Sequence, residues 1–426
     1  MNPTAPKIIP VLIGADLNCY NVARAFHEAY GVISHAFGRY AIGATKSSRI
    51  VRFTEVSDLD NDNRFLQTMA AFAASHKTEN NALILLGCTD DYANLIARNK
   101  EKLSGNFIVP YNDASIMELL SSKERFYQYC DTYGISHPAT KVLLRVPASL
   151  ASLSDSVLGF PYPIIIKPSN STLYWKHPFP NMEKVYTADT PEKAMKILEN
   201  IFGSGYNDSV ILQDRIPGDD SCMYVLTTYS GKDGRVHMMC LGHVLLEEHT
   251  PKGRGNHAAI LTESRPEVAE PLRRMLDSIS YTGFANFDLK YDRRDGTWRA
   301  FEINLRQGRS NYYVTASGEN IARYVVEDYV TDSLTAEIKT ANRPILWTAI
   351  PKGVVRRYVK DSVCLAEAEK RIRSKQHFAS LWYPYDLRFN PRRLFYVLAH
   401  SLNHFRKYRK YYSDHGEVSF SSSQSG

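Results

Sequence analysis

The sequence predicts an α/β protein with more than one domain, and three observations support this prediction. Two continuous apolar runs, residues 8–14 and 82–87, have the character of buried parallel strands, and each is followed by a helical pattern. A β-hairpin is predicted within residues 284–309. A chain of 426 residues is too long for one hydrophobic core, so two or three domains are expected.

The composition excludes several classes of protein. The chain is 44% hydrophobic and 23% charged, which is typical of a soluble globular protein. No apolar run approaches the roughly 20 residues of a membrane span, and the N-terminus does not resemble a secretory signal. The 6 cysteines are scattered without a Cys-x-x-Cys pair. We therefore expect reduced thiols in a cytoplasmic protein rather than a disulfide framework or a zinc site.

The first 115 or so residues are predicted to form an open α/β domain. Gly14 and Asp16 follow the first strand, and Thr89 and Asp90 follow the second. The glycine suits a strand-to-helix turn, but the sequence there is not the G-x-G-x-x-G fingerprint, so no dinucleotide site is predicted.

A helix and a strand with notable lysines come next. Ser121 or Ser122 can cap a helix that carries Lys123 and ends at Gly134. Residues 162–168 form an apolar strand with Lys167 near its end. A lysine buried along a strand is rare unless it pairs with an anion, and the alternative is a lysine that reaches solvent at the strand end.

Further elements follow in order. Residues 169–172 are small and polar and could close over phosphates, although they lack the glycines of a P-loop. Thr190 and Pro191 begin an amphipathic helix, and residues 210–213 form a strand. Strands are predicted over residues 223–229 and 236–246, then a basic, glycine-containing loop over 249–258, and later a helix over 321–330.

The hairpin carries an oxygen-rich face. Its strands, residues 285–291 and 298–304, flank a turn with Asp-Gly at its tip. Alternation places Asp288 on one strand, and Glu302 and Asn304 on the other, on a shared face beside Arg306. Such a cluster suits a hard cation such as Mg²⁺, with Mn²⁺ as an alternative. The other interpretation is a solvated hairpin face, and we favour the metal site.

These motifs occur in an order that resembles the ATP-grasp superfamily with its α/β domain at the N-terminus, over residues 1–330. The resemblance implies that Lys123 and Lys167 bind the phosphates of ATP. It implies an adenine hinge at Gln213, Asp214 and Ile216, and a ribose contact at Asp220 or its neighbour Asp219. The remaining implied roles are phosphate contacts at Ser169, Asn170 and Ser171, Mg²⁺ ligands at Asp288, Glu302 and Asn304, and a catalytic Arg306 that acts with Lys167.

Within that superfamily, residues 167–171, 174–177, 302–309 and 314–321 resemble the carboxylate–amine ligases that include the D-aspartate ligases of cell-wall synthesis. This resemblance implies an ADP-forming ligase that activates D-aspartate as an acyl phosphate and transfers it to the lysine side chain of a peptidoglycan stem-peptide precursor. Lys252, Arg254 and His257 are cations suited to an acidic acceptor, with a solvated turn as an equal alternative. Arg309 is a candidate for binding the amino-acid carboxylate.

The expected domains are a pre-ATP-grasp domain over residues 1–115, an ATP-grasp domain over 116–335 and a basic extension over 336–426. The ATP-grasp domain divides at about residue 222 into a lid-bearing part (116–222) and a part for metal and substrate (223–335). The terminal serine-rich segment is expected to be disordered.

The basic extension accounts for the charge of the protein. The formal net charge is +7, and 7 basic residues without an acidic one lie between Leu387 and Ser413. Asn390 and Pro391 predict the start of a helix that continues to residue 412. We expect its apolar stripe to dock on the protein body in the first half, and its basic end, from residue 405, to engage an anionic membrane or the acidic precursor. The stripe comprises Leu394, Phe395, Leu398, Leu402 and Phe405.

Two other functions stay open. One is an ATP-grasp ligase that makes a dipeptide or another small amino-acid conjugate. The other is a nucleic-acid-binding protein, suggested by the basic, aromatic tail. The near-neutral body of the protein argues against nucleic acid, which we do not expect as a partner.

Overall fold

The computed structural model describes residues 6–183, 185–250, 253–341 and 343–412. It divides into two compact units. The first unit contains residues up to 118, residues 218–289 and residues from 303 onwards, and the second contains residues 119–217 and 290–302. The segment expected to be disordered at the C-terminus lies outside the described residues.

The strands are β1 Lys7–Ile13, β2 Ser34–Gly38, β3 Val51–Glu55, β4 Asn81–Gly87, β5 Thr140–Leu143, β6 Ile164–Pro168, β7 Tyr186–Ala188, β8 Val210–Asp214, β9 Met223–Ser230, β10 Val236–Glu247, β11 His257–Glu263, β12 Gly283–Asp292, β13 Thr297–Asn304, β14 Lys339–Thr340, β15 Leu346–Thr348 and β16 His377–Ala379.

The helices are α1 Leu17–Tyr30, α2 Asp62–His76, α3 Asp90–Arg98, α4 Lys100–Leu103, α5 Ala114–Ser121, α6 Lys123–Tyr133, α7 Asp155–Leu158, α8 Ser171–Tyr174, α9 Pro191–Gly203, α10 Pro266–Ser278, α11 Tyr312–Ala316, α12 Ile321–Tyr329, α13 Lys352–Tyr358, α14 Ser362–Arg373, α15 Pro384–Leu387 and α16 Pro391–Tyr411. Short 3₁₀ turns lie at Leu150–Leu153 and Asp220–Cys222.

The N-terminal sheet of the first unit is parallel, in the order β3-β2-β1-β4. Val11, Leu12 and Ile13 on β1 are fully buried, as expected for a strand covered on both faces. The Asp16 carboxylate caps α1 by accepting a hydrogen bond from the backbone amide of Cys19. The predicted open α/β arrangement at the N-terminus is therefore present.

A larger sheet follows the order β13-β12-β9-β10-β11-β15-β16, with β14 beside β10. Strands β9 and β10 pair antiparallel around the predicted turn. Strand β12 begins in the first unit, and strand β13 ends in it. Residues 290–302, which comprise the end of β12, the turn and most of β13, belong to the second unit. Phe287 and Leu289 are buried on β12 while Asp288 is only partly buried, so the predicted alternation is present.

The second unit has an antiparallel sheet in the order β5-β8-β6-β7. Ile164 and Ile166 on β6 and Leu212 on β8 are fully buried in its core. Helix α9 covers this core through Leu198 and Ile201, with Thr190 as its N-cap as the sequence predicts.

The C-terminal region joins the first unit, whereas the sequence predicts a separate extension over residues 336–426. Strand β15 pairs with β11, and β16 pairs with β15. Leu346 and Trp347 on β15 are fully buried. The sequence does not reveal this because strands of 3 residues are too short to give a readable period.

Candidate active site

Lys123 is the first residue of α6, which follows Ser122 and ends at Gly134, a residue with φ of 65°. Its Nζ donates a hydrogen bond to Oε1 of Glu302 over 2.8 Å. Both residues belong to the second unit. The lysine expected at the phosphates and one of the expected metal ligands are thus brought together.

Lys167 lies on β6 and is buried, with 8% of its surface exposed, so the alternative of a strand-end lysine in solvent is wrong. Its Nζ donates to Oε1 of Gln213 over 2.9 Å. The amide nitrogen of Gln213 donates in turn to Tyr127 Oη and Thr140 Oγ1. Because every polar atom of the Gln213 side chain is engaged, this residue fixes the position of the lysine.

Asp214, at the end of β8, is held by an arginine that sequence reasoning missed. The Arg294 guanidinium donates to both carboxylate oxygens of Asp214 and also to Asp292. Hydrogen bonds from Arg294, joined by Arg299, keep the pKa of Asp292 well below its usual range. Arg294 was predicted only as a turn residue, and no local signal connects it with a residue 80 positions earlier.

In the small polar segment after β6, Ser169 and Asn170 make hydrogen bonds within the protein. Ser169 Oγ accepts a hydrogen bond from Ser209 Oγ over 2.7 Å. The Asn170 side-chain oxygen accepts from the Leu173 amide, which caps the short helix α8. The side chain of Ser171 lies outside the described part of the structure. The phosphate role of these three residues stays a prediction.

Asp219 and Asp220, which follow the expected adenine hinge, make different hydrogen bonds. Asp219 Oδ1 accepts from both the amide and the hydroxyl of Ser221, capping the 3₁₀ turn. The Asp220 carboxylate accepts from the Glu247 amide and pairs with His249 Nε2, each over 2.9 Å. Both carboxylates are engaged, so the ribose contact at Asp220 or its neighbour Asp219 stays a prediction. Ile216, the expected adenine contact, is buried.

Asp288 and Asn304 meet across the hairpin in the first unit. The Asn304 side-chain nitrogen donates to Oδ2 of Asp288 over 3.1 Å. His257 Nε2 lies 3.9 Å from the other oxygen of Asp288 and 3.6 Å from Glu247 Oε1. Burial, helped by Arg309, lowers the pKa of His257 to about 4, so its imidazole is neutral at pH 7. A role for His257 in binding an acidic acceptor stays a prediction.

The metal set remains a prediction. The described residues contain no group of three or more His, Cys, Asp or Glu side chains placed to bind a metal ion. The predicted metal ligands are two carboxylates, Asp288 and Glu302, and the side-chain amide of Asn304, so they do not form a group of that kind. Asp288 and Asn304 lie in the first unit and Glu302 in the second. Their oxygen donors fit the chemistry that Mg²⁺ prefers.

Two arginines follow β13. Arg306 donates to Asp90 Oδ2 over 2.8 Å and to the carbonyl of Gln307. Arg309 donates through Nη2 to Glu248 Oε1 over 2.9 Å. Among the described residues, Nη1 of Arg309 is buried without a hydrogen-bond partner. An arginine with an unused buried N–H can bind a carboxylate oxygen.

Two aspartates near these arginines were noted in the sequence but given no function. Asp90 follows β4, and Asp16 follows β1, where burial raises its pKa despite the charges of Arg309 and Arg306. β1 and β4 are adjacent parallel strands, and ligands of open α/β sheets bind beyond the carboxyl ends of such strands. This rule is the feature of the sequence that could have identified Asp16 and Asp90 as candidate site residues.

The basic loop after β10 is only partly described. Lys252 lies outside the described residues, and Arg254 is exposed. A role for these two residues in binding an acidic acceptor stays a prediction.

Comparison with known proteins supports the predicted resemblance. No family model matches the chain. A D-aspartate ligase from Enterococcus faecium is 36% identical over 411 residues, which cover 95% of this chain and 97% of that protein.

Solved structures share the fold at low sequence identity. An L-amino acid ligase from Bacillus licheniformis has a TM-score of 0.52 at 13% identity, over 79% of this chain and 78% of its own. The N5-carboxyaminoimidazole synthetase from Staphylococcus aureus has a TM-score of 0.56 at 12% identity, over 81% of this chain and 83% of its own. The biotin carboxylase domain of 2-oxoglutarate carboxylase from Hydrogenobacter thermophilus has a TM-score of 0.56 at 14% identity, over 79% of this chain and 72% of its own.

These likenesses confirm the predicted ATP-grasp fold. The similarity to the Enterococcus faecium enzyme extends over nearly the whole of both chains, and the chain therefore belongs to the D-aspartate ligase family.

Proposed function

We propose that this protein is an ATP-dependent, ADP-forming ligase that joins D-aspartate to the lysine side chain of a peptidoglycan stem-peptide precursor. The observation that carries this proposal is the similarity to D-aspartate ligase along 95% of the chain. The reaction is assigned to the cytoplasm, which agrees with 6 cysteines that are all buried as thiols.

The nucleotide is ATP, held at its phosphates by Lys123 and Lys167. Both ammonium groups are fixed by hydrogen bonds to named partners, Glu302 and Gln213. A phosphate group would accept charge-assisted hydrogen bonds from ammonium groups positioned in this way. The structural relative from Hydrogenobacter thermophilus was crystallised with MgADP and bicarbonate, which agrees with this nucleotide.

The carboxylate must be activated before an amine can attack it, because the oxygen of a free carboxylate is a poor leaving group. A β-carboxylate oxygen of D-aspartate attacks the γ-phosphorus of ATP, and ADP leaves. The acceptor amine then attacks the carbonyl carbon of the acyl phosphate, inorganic phosphate leaves with that oxygen, and the nitrogen loses a proton. Both steps develop negative charge, which fixed positive groups stabilise.

Asp288, Glu302 and Asn304 are proposed to bind Mg²⁺, with Mn²⁺ as an alternative. When bound, the ion supplies positive charge to the phosphate oxygens. Arg306 is proposed to stabilise charge on the acyl phosphate, and Asp90 fixes its guanidinium through the hydrogen bond of 2.8 Å. Arg309 is proposed to bind a carboxylate of the donor through its unused Nη1.

A second candidate function is a ligase that makes a dipeptide or a similar small conjugate. The structural likeness to the L-amino acid ligase from Bacillus licheniformis favours keeping it. It differs from the first function in the acceptor and in the stereochemistry of the donor.

An ADP-release screen over D- and L-amino acids, with and without a stem-peptide precursor, tests the proposal. We expect ADP formation to require both D-aspartate and the precursor, with an amide product at the lysine side chain by mass spectrometry. ADP formation with free L-amino acids alone would favour the second function. ADP formation that is independent of any amino acid would contradict both.

A further inference from the structure

Helix α16 packs on the rest of the first unit through a face that contains three polar side chains and one valine. Arg393, Val397, His404 and Tyr408 are buried, and they recur at helical spacing. Arg393 pairs with Asp386 over 3.0 Å, and both side chains are fully buried. At the other end of the helix, the Tyr408 hydroxyl donates to the carbonyl of Glu247 over 2.7 Å. Both ends of the helix are therefore held by contacts that do not use its apolar stripe.

The first half of the apolar stripe, from Leu394 to Leu402, is exposed, so the expectation that this half docks on the protein body is wrong. Exposure is 74% for Phe395, 67% for Leu402, 45% for Leu398, 39% for Phe405 and 38% for Leu394. At 100° per residue these five side chains occupy one continuous side of α16. Contiguous exposed apolar side chains on a protein surface indicate a site that binds another molecule or a membrane.

Cations border this stripe. Arg392, Arg406, Arg409 and Lys410 are exposed, and helix Pro391–Tyr411 contains no acidic residue. Helical periodicity places Arg409 within the stripe and the other three along the edge away from the docked face. The surface therefore combines an apolar centre with a positive border.

We propose that this surface, the outer face of α16 formed by the five apolar and four basic residues above, binds an anionic membrane surface with the helix lying in the plane of the lipid headgroups. The apolar side chains would enter the headgroup boundary, and the cations would contact lipid phosphates. Among the described residues no helix is long and apolar enough to cross a membrane. The proposed contact uses only the outer face of α16, and it is independent of the ligase proposal.

Charge favours lipid over a second copy of this chain. In a symmetric dimer through this face, the same four cations would meet each other, and no acidic residue of the helix could pair with them. Like charges brought together in this way oppose association. An anionic bilayer offers both the apolar layer and the opposite charge.

Flotation with vesicles tests the proposal, using full-length protein and either phosphatidylglycerol-rich or pure phosphatidylcholine vesicles at low and physiological salt. The stripe variant carries Leu398→Ser and Leu402→Ser, and the charge variant carries Arg392→Gln, Arg406→Gln and Lys410→Gln. Matched controls are Leu144→Ser with Val157→Ser, and Lys77→Gln with Lys196→Gln and Arg274→Gln. All of these control positions are exposed and lie outside α16.

We expect wild type and both controls to float with anionic vesicles and to float less as salt increases. Each test variant should lower the bound fraction at least about tenfold. The charge variant loses three cations that would contact lipid phosphates, and the stripe variant loses two apolar side chains that would enter the headgroup boundary. Thermal melting confirms that the variants are folded. Equal flotation of wild type and both test variants, or wild-type binding that does not distinguish the two lipids, overturns the proposal. So does a wild-type dimer in lipid-free solution that the stripe variant converts to a monomer.

Discussion

Lys123 Nζ donates to Glu302 Oε1 over 2.8 Å, which joins the proposed phosphate-binding lysine to a proposed metal ligand. Side-chain exposure is 22% for the lysine and 42% for the glutamate, so solvent screens the pair. A phosphate group and a magnesium ion can each replace one partner. The pair therefore positions two groups for binding and contributes little to folding.

Replacement of Glu302 by Gln tests whether this residue acts in ligand binding or in folding. We expect the free energy of unfolding to change by less than about 1 kcal/mol, because a screened ion pair is weak. We expect ADP formation at saturating Mg²⁺ to fall at least about 100-fold, the size of effect seen when one charge-stabilising group is removed. The control is Glu199→Gln, an exposed glutamate on α9. Turnover of Glu302→Gln within a few-fold of wild type would show that the metal assignment is wrong.

Replacement of Arg309 by Lys tests carboxylate binding. Lysine keeps the positive charge but loses the two-pronged geometry of the guanidinium, including the buried Nη1. We expect the KM for the amino-acid donor to rise at least about tenfold while the KM for ATP stays within twofold, because one lost charge-assisted hydrogen bond costs about 1.5–3 kcal/mol. Steady-state kinetics with each substrate varied in turn measure this. A parallel rise in both KM values would indicate a structural role.

Replacement of Asp386 by Asn tests the anchor of the C-terminal region. Asp386 accepts hydrogen bonds from Tyr20 Oη and the Arg49 amide as well as pairing with buried Arg393. Removing one partner of a buried ion pair leaves the other charge uncompensated, so we expect a loss of about 3–5 kcal/mol in the free energy of unfolding. Urea denaturation measures it, with the exposed Arg388→Gln as the control. A loss under about 1 kcal/mol would contradict the anchor.

Acidification should destabilise the protein through His404. Burial, followed by the charges of His400 and Lys407, lowers the pKa of His404 to about 3 from an ordinary value of 6.5. The unfolded chain therefore binds a proton between these two values that the folded chain does not. Stability is full above pH 6.5 and decreases as pH falls, with a slope of about 1.4 kcal/mol per pH unit for each such proton.

The pH test compares wild type with His404→Gln. We expect the melting temperature of wild type to fall from pH 6.5 downward, and the variant to fall less steeply once its baseline difference at pH 7.5 is subtracted. Identical slopes would show that His404 is not the group responsible.

Elements with a local signal were predicted well from the sequence. The Asp-Gly turn at Asp295 and Gly296 predicts the hairpin, and Gly296 has the positive φ of 75° that such a turn needs. Thr190 and Gly134 likewise mark a helix start and a helix end that the structure contains. Each of these signals lies within a few residues of the structure that it determines.

Features that depend on distant residues were not predictable. Three of the four buried side chains of α16 carry polar groups, which can be buried only because residues far away in the chain supply partners, such as Glu247, 161 positions from Tyr408. Apolar periodicity therefore predicts a different face of the helix as the docked one. The pairs Asp214–Arg294 and Asp90–Arg306 were missed for the same reason, since 80 and 216 positions separate their members.

Transfer of labelled oxygen tests the proposed acyl-phosphate mechanism, because it follows the atom that the reaction moves. D-Aspartate labelled with ¹⁸O in its β-carboxylate is incubated with ATP, Mg²⁺, enzyme and stem-peptide precursor, and the inorganic phosphate is analysed by mass spectrometry. We expect labelled oxygen in phosphate in proportion to the amide formed, since the acyl phosphate releases that oxygen with phosphate. Amide formation with label in AMP, or with unlabelled phosphate, would contradict an acyl-phosphate ligase.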